Sequence, residues 1–243
     1  MAKKQNKVGI LGFGEVGQAI AKFYKFPLVK DLKRDDGLKG VEILHICLPW
    51  SNKFINIVKA EIRRVKPKLT IIHSTVLPGT TKKIGGMVVH SPIRGMHPNL
   101  FPGIKTFLKY IGTDNKKAGK LAKAHLEGLR IKTEVFQPSV TTEIGKLLDT
   151  SYYAICIAWH GEMKKMCDKL KVDFNKAVVD FNESYNEGYK KLSRKNVIRP
   201  VLYSPKKGIT GHCLIPNAEI LKQHFKSRAL DLILDYKPKK NVR

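Results

Sequence analysis

The chain has 243 residues, 42% hydrophobic and 27% charged, which suits one sizeable core or an ordinary domain with a smaller companion and excludes a disordered or fibrous chain. Its 46 Lys and Arg against 20 Asp and Glu leave a formal charge of +26, a field that attracts anions such as dinucleotides, phosphorylated substrates or nucleic acid. No apolar run reaches the roughly 18 residues of a membrane span. The opening Met-Ala-Lys-Lys-Gln-Asn-Lys passes into a strand pattern without a signal-peptide core, so a cytoplasmic protein is expected.

In chain order, Lys7 to Leu11 is a short buried-strand pattern, and Glu15 to Phe26 places Val16, Ala19, Ile20 and Phe23 on one helical face. Pro27 to Asp31 reads as a second strand. Val41 to Leu48 reads as a third, apolar almost throughout, as a strand covered on both faces must be. A helix over Lys53 to Val65, a strand at Leu69 to His73, and strands at Met87 to His90 and Lys109 to Ile111 follow. A helix over Lys116 to Leu129 and a last strand at Lys132 to Phe136 complete an alternation that predicts right-handed crossovers and a mostly parallel sheet. After Gln137-Pro138 the pattern turns helical, from Thr141 to Leu170 and from Phe174 to Leu192. The expected class is α/β: a doubly wound parallel sheet over residues 1–137, followed by a smaller all-helical domain over 138–243 that serves substrate binding and dimerisation. The tail through Lys239 and Lys240 is expected to fray.

Gly12-Phe13-Gly14-Glu15-Val16-Gly17 is a G-x-G-x-x-G run standing directly after a strand and opening a helix. There Gly12 permits a tight turn, Gly14 lets a pyrophosphate approach the backbone, Gly17 allows close packing, and the helix start offers N–H groups to an anion. This is the Rossmann arrangement. Asp31, at the end of the second strand, suits the adenosine ribose hydroxyls and favours NAD, while Lys30, Lys33 and Arg34 crowd the same corner and leave NADP open. Ligands of such sheets lie outside the carboxyl ends of the strands, where Leu48, Pro49, Ser74, Thr75 and Ser91 should converge.

The basic residues run from Lys3 to Arg243 instead of forming one arm, so the charge reads as a solvated face before it reads as a nucleic-acid site. Cys47, Cys156, Cys167 and Cys213 show no C-x-x-C spacing, which argues against a zinc site or a disulfide framework, and no metal is expected. Only Cys213 lies in a Gly-containing loop. His73, His90 and His97 lie near strand ends, where each reads first as a packed or solvated ring and only second as a proton shuttle.

Ile72-His73-Ser74-Thr75-Val76-Leu77-Pro78-Gly79-Thr80-Thr81 resembles the S-T-V-x-P-G-T-T segment of the UDP-glucose/GDP-mannose dehydrogenase family. Ile43 to Pro49, Ser91-Pro92-Ile93-Arg94, Glu143 to Glu162 and Gly211-His212-Cys213-Leu214 resemble further segments of that family in the same order. The resemblance implies oxidation of a sugar alcohol with NAD. Cys213 would be the nucleophile that traps the aldehyde, its thiol activated by nearby cations and His212; Lys146 would stabilise the oxyanion, and Thr75 would position water or the substrate hydroxyl. It also implies a homodimer built on the long helix.

Three departures stand out. Thr150 replaces the family's Asn four residues after the lysine, Ile93 replaces the S-P-E-R glutamate, and Gly161-Glu162 replaces an N-E pair. Only residues 214–243 follow Cys213, too few for the family's second α/β domain. Three functions are therefore expected in turn: an NAD(P)-dependent dehydrogenase of an anionic alcohol or aldehyde; a simpler hydroxyacid or imine reductase with Lys146 as acid/base and Cys213 structural; or a Rossmann-derived protein that binds nucleotide or nucleic acid without catalysis.

Overall fold

The computed structural model describes residues 7–211 and 213–238. His212, Lys239 and Lys240 lie outside the described residues. Two compact units divide between Lys146 and Leu147.

The first unit is organised around β1 (Val8–Leu11), four consecutive buried residues that pair in parallel with β2 (Leu28–Asp31) on one side and β4 (Ile43–Ile46) on the other. From β4 the sheet continues through β5 (Leu69–Ile72) and β6 (Val88–His90), both parallel. β7 (Lys109–Gly112) is antiparallel to β6, and β8 (Thr133–Phe136) is parallel to β7. At the far edge β3 (Arg34–Asp35) pairs antiparallel with β2. The order β3-β2-β1-β4-β5-β6-β7-β8 makes this a mostly parallel, doubly wound sheet of Rossmann type. Chain order reverses at β1, so the crevice between the carboxyl ends of β1 and β4 is where such a sheet takes its ligand.

Alternation along the strands builds two cores. Ile10, Ile43, Leu69, Ile71, Val89 and Ile111 face α1 (Glu15–Ala21) and α5 (Lys116–Gly128). Leu44, Ile46 and Ile72 face Phe54 and Val58 of α2 (Phe54–Val65). α1 ends five residues before the expected Phe26. Phe23 and Tyr24 bond back three residues, to Ile20 and Ala21, and the residue before Pro27 is barred from helical backbone by the ring. Two short helices have too few residues to show a period in the sequence: α3 (Thr80–Ile84), and α4 (Leu100–Thr106), which buries Leu100 and Ile104 beside α1.

α6 (Val140–Lys169) begins in the first unit and continues through the second. In the second unit Cys167, Phe174, Val178 and Val179 form a small core, over a π-helical turn (Asn175–Asp180) leading into α7 (Phe181–Lys191). α8 (Leu214–Lys222) and α9 (Arg228–Asp235) pack on each other, and the described part of this unit is all-helical, with no extended strands. No described helix is long and apolar enough to cross a membrane.

Candidate cofactor site

The loop after β1 takes its shape from its glycines. Gly12 has φ +93°, and a side chain there would meet the Cys47 carbonyl oxygen at 2.8 Å. A Cβ on Gly17 would lie 2.1 Å from the Gly12 carbonyl oxygen, so the first turn of α1 can close over the loop only without one. Gly14 is different: its Cβ would enter open space. Two of the glycines are thus required by packing and the third leaves room, which is the division of labour a diphosphate cradle needs.

Asp31 stands at the end of β2, half-buried, and its carboxylate accepts the Phe13 N–H at 2.6 Å and the Leu32 N–H at 2.8 Å. The acid is thereby tied to the glycine loop. Arg34 lies over the Phe13 ring, 5.6 Å from its centroid, but forks onto Asp36, whose oxygens it meets at 2.7–3.0 Å. That pairing holds the Asp36 carboxyl below its usual range. Glu15, in the first turn of α1, pairs with His97.

In the loops that follow β4 and β5, Trp50 Nε1 and Ser74 Oγ are buried with no hydrogen-bond partner among the described residues, the indole lying against Phe54. Buried donors are rarely left unsatisfied, and two of them at neighbouring strand ends fit a mouth that a ligand or water completes. Ser74 was expected from the sequence. Trp50 was missed; an indole directly after Leu48 and Pro49, which are exposed or half-buried, was the available signal. The residues present therefore fit a dinucleotide: an open backbone approach at Gly14, an acid beside it and unsatisfied donors across the strand ends.

Thr75 is half-buried in the loop after β5, and that loop is held by Glu143 of α6. The Glu143 carboxylate, wholly buried, accepts the Thr81 N–H at 2.7 Å, the Thr81 hydroxyl at 2.6 Å and the Gly79 N–H at 2.5 Å, capping the start of α3. Burial raises its pKa while these bonds pull it down, and burial prevails. Glu143→Ala strands two backbone donors, and a loss of about 2–4 kcal/mol is expected from urea unfolding, against little change for an exposed control such as Glu134→Ala.

The structure places Gly12 to Gly17, Asp31, Leu48, Pro49, Ser74, Thr75 and Lys146 in the first unit and Cys213 in the second. Lys146 is half-buried on α6, and Cys213 is the N-cap of α8.

Each departure from the family pattern has a local cause. Ile93 is a core residue, 7% exposed, where a carboxylate would be buried among apolar side chains. Gly161 lies against the Tyr236 ring, which a Cβ would meet at 2.3 Å, while Glu162 accepts the Tyr236 hydroxyl at 2.7 Å. Thr150 receives the Asn217 side-chain amide at 3.0 Å, so an amide reaches this position from α8 although α6 lacks one. A groove of about 810 Å³ along α7, lined by Phe181, Tyr185, Tyr189 and Leu192, contains none of the expected site residues.

No family model matches the chain. It is 29% identical over 194 residues to a UDP-N-acetyl-D-mannosamine dehydrogenase of Methanococcus maripaludis, a match covering 75% of this chain and 40% of that protein. The chain thus spans about two-fifths of the length of that curated relative. The structure of a UDP-D-ManNAc dehydrogenase from Pyrococcus horikoshii superposes with TM-score 0.75 at 18% identity, covering 95% of this chain and 68% of the other. A 3-hydroxyisobutyrate dehydrogenase from Mycobacterium tuberculosis gives TM-score 0.66 at 12% identity, covering 96% and 92%. In sequence the chain is thus similar to UDP-N-acetyl-D-mannosamine dehydrogenases, and it shares the fold of solved dehydrogenases, in keeping with the UDP-glucose/GDP-mannose dehydrogenase family that its Thr75 and Cys213 segments resemble.

Proposed function

We propose that this chain is a nicotinamide-dinucleotide-dependent oxidoreductase whose first unit binds the cofactor at Gly12 to Gly17. The observation that carries this reading is the open approach at Gly14, on a loop that Gly12 and Gly17 close, at the point where the sheet reverses direction. When bound, the dinucleotide supplies hydride acceptance and donation. Asp31 takes the ribose hydroxyls and repels a 2′-phosphate, and the pairing of Arg34 with Asp36 removes the nearest guanidinium from service to that phosphate; both support NAD over NADP.

Leu48, Pro49, Ser74 and Thr75 line the mouth, with Thr75 orienting the substrate hydroxyl or a water. The substrate is an anionic alcohol or aldehyde, in keeping with a charge of +26 and with relatives named for nucleotide-sugar oxidation. Lys146 stabilises the developing oxyanion and the Cys213 thiolate traps an aldehyde. Exposed apolar side chains along the helical unit, among them Tyr152, Trp159, Phe181 and Tyr185, support self-association as a homodimer.

A second reading is a two-electron dehydrogenase with Lys146 as acid/base and Cys213 structural, in keeping with the superposition on the 3-hydroxyisobutyrate dehydrogenase fold. Calorimetric titration with NADH and NADPH tests the cofactor reading: NADH should bind at least tenfold more tightly, a difference of about 1.4 kcal/mol. Equal binding would contradict the assignment of Asp31. Cys213→Ser separates the two chemistries, since the thiolate route loses nearly all turnover and the simpler route keeps it.

A further inference from the structure

Beneath the mouth, the core layer facing α1 and α5 carries a polar seam. The carbonyl oxygen of Ser91 can only accept, so the His73 Nδ1 that lies 2.9 Å from it bears the proton. In a neutral ring Nε2 is then bare, and it accepts from His45 Nδ1 at 2.8 Å. The same logic leaves His45 Nε2 to accept from the Tyr24 hydroxyl at 2.9 Å, whose oxygen takes the Nε2 proton of His125 at 2.8 Å. Every proton in the chain has one place.

His90 answers from the next strand. Its Nε2 lies 3.1 Å from the Ser74 carbonyl oxygen and must donate to it, while Nδ1 lies 2.8 Å from the Thr142 hydroxyl. The two histidines therefore cross: the one that follows β5 holds the serine after β6, and the one that ends β6 holds the serine after β5. Lys109 Nζ also donates to the Ser91 and Pro92 carbonyls, at 2.8 and 3.1 Å. The serine held by His90 is the one whose hydroxyl is buried and unpartnered.

We propose that His73 and His90 are positioning residues of the cofactor mouth: as neutral rings of opposite tautomer they cross-brace the Ser74 and Ser91 loops and hold the Ser74 hydroxyl where the dinucleotide meets it. The proposal rests on the dinucleotide reading above. The surroundings keep the rings neutral. His73 is pushed well below the usual imidazole range by burial, then by Lys109, His45 and His90. Burial takes His90 to about 3 against the pull of its bond to Ser74, with Lys109 and Lys146 adding to the fall. Burial likewise depresses His45, which faces His125 and Lys109, and Cys47 and Arg94 face Lys109 in turn.

An amide can replace one imidazole nitrogen: Asn reproduces the reach of Nδ1, Gln that of Nε2. His73→Asn and His90→Gln should keep NADH affinity within about threefold, whereas the exchanged pair, His73→Gln and His90→Asn, should weaken it at least tenfold with circular dichroism unchanged. Nitrogen-15 spectra of labelled histidine at pH 7.5 should show His73 and His45 protonated at Nδ1, and His90 at Nε2. Equal affinity of the matched and exchanged variants, reversed tautomers, or a cationic ring at either position would overturn the brace. Failure of the parent protein to bind NADH at any pH, with the expected tautomers present, would instead remove the cofactor reading and this role with it.

Discussion

Gly14→Ala is expected to leave the protein folded and to abolish most of its dinucleotide binding. The Gly14 backbone lies at φ −66°, a conformation alanine adopts freely, and the added methyl meets no protein atom within 4 Å. It enters the space a diphosphate occupies in such loops, so NADH affinity should fall by at least tenfold at an unchanged unfolding midpoint. Gly17→Ala should behave otherwise. Its methyl would sit 2.1 Å from a backbone oxygen that cannot yield without moving α1, and a loss of about 1–3 kcal/mol is expected together with the loss of binding. Urea unfolding and calorimetry on the two variants separate a ligand space from a packing contact. Equal stability losses in both would show that Gly14 is closed after all.

The second large effect is on stability against pH. Lys109, held at about 7 by burial, ionises at 10.5 once exposed, so between these values the unfolded chain carries the additional proton and folding weakens as pH falls from 10.5 toward 7. Below pH 7 this group is charged in both states and adds no further slope. The histidines act on the acid side. His125 at about 4 and His90 at about 3 are both lowered by burial from 6.5, and His45 and His73 are shifted the same way. As pH falls from 6.5 toward those values, the unfolded chain binds protons that the folded chain refuses, and stability is lost. A tenfold difference in proton affinity between folded and unfolded chain is worth about 1.4 kcal/mol, so the first unit should lose several kcal/mol between mildly alkaline solution and pH 4. Trp50, in the first unit, reports this transition once Trp159 is replaced by Phe. In Lys109→Met the rise above pH 7 should vanish while the acid loss remains. A midpoint independent of pH between 5 and 10 would contradict a neutral seam.

Much of the first unit was legible because its signals are local. A glycine run between a strand and a helix, apolar strands four residues long and a helix of 13 residues at α5 all declare themselves by composition or period. What stayed hidden depends on contacts distant in sequence. α3 and α4 have five and seven residues, too few for a helical period, and α4 contains Pro102 and Gly103; its glycine is there because Gly95 packs against it. β3 is two residues long and exists because Asp31 pairs back on Arg34. The antiparallel run of β7 against β6 leaves no trace in either strand's composition. Nor did the histidines disclose their company: His45 looked like one polar residue in an apolar strand, and only the fold brings Tyr24, His73 and His125 to it. In the second unit α8 and α9 follow a loop rich in Gly, Pro and Lys that masked their onset.

The central claim is that the turn between β1 and α1 cradles a diphosphate. Amide proton–nitrogen spectra recorded while NADH is added test it most directly. Shifts at Gly14, Glu15 and Val16, accompanied by the Trp50 indole and spreading to Asp31, are the predicted result. Saturating shifts confined to other residues, or none at millimolar NADH, would contradict it.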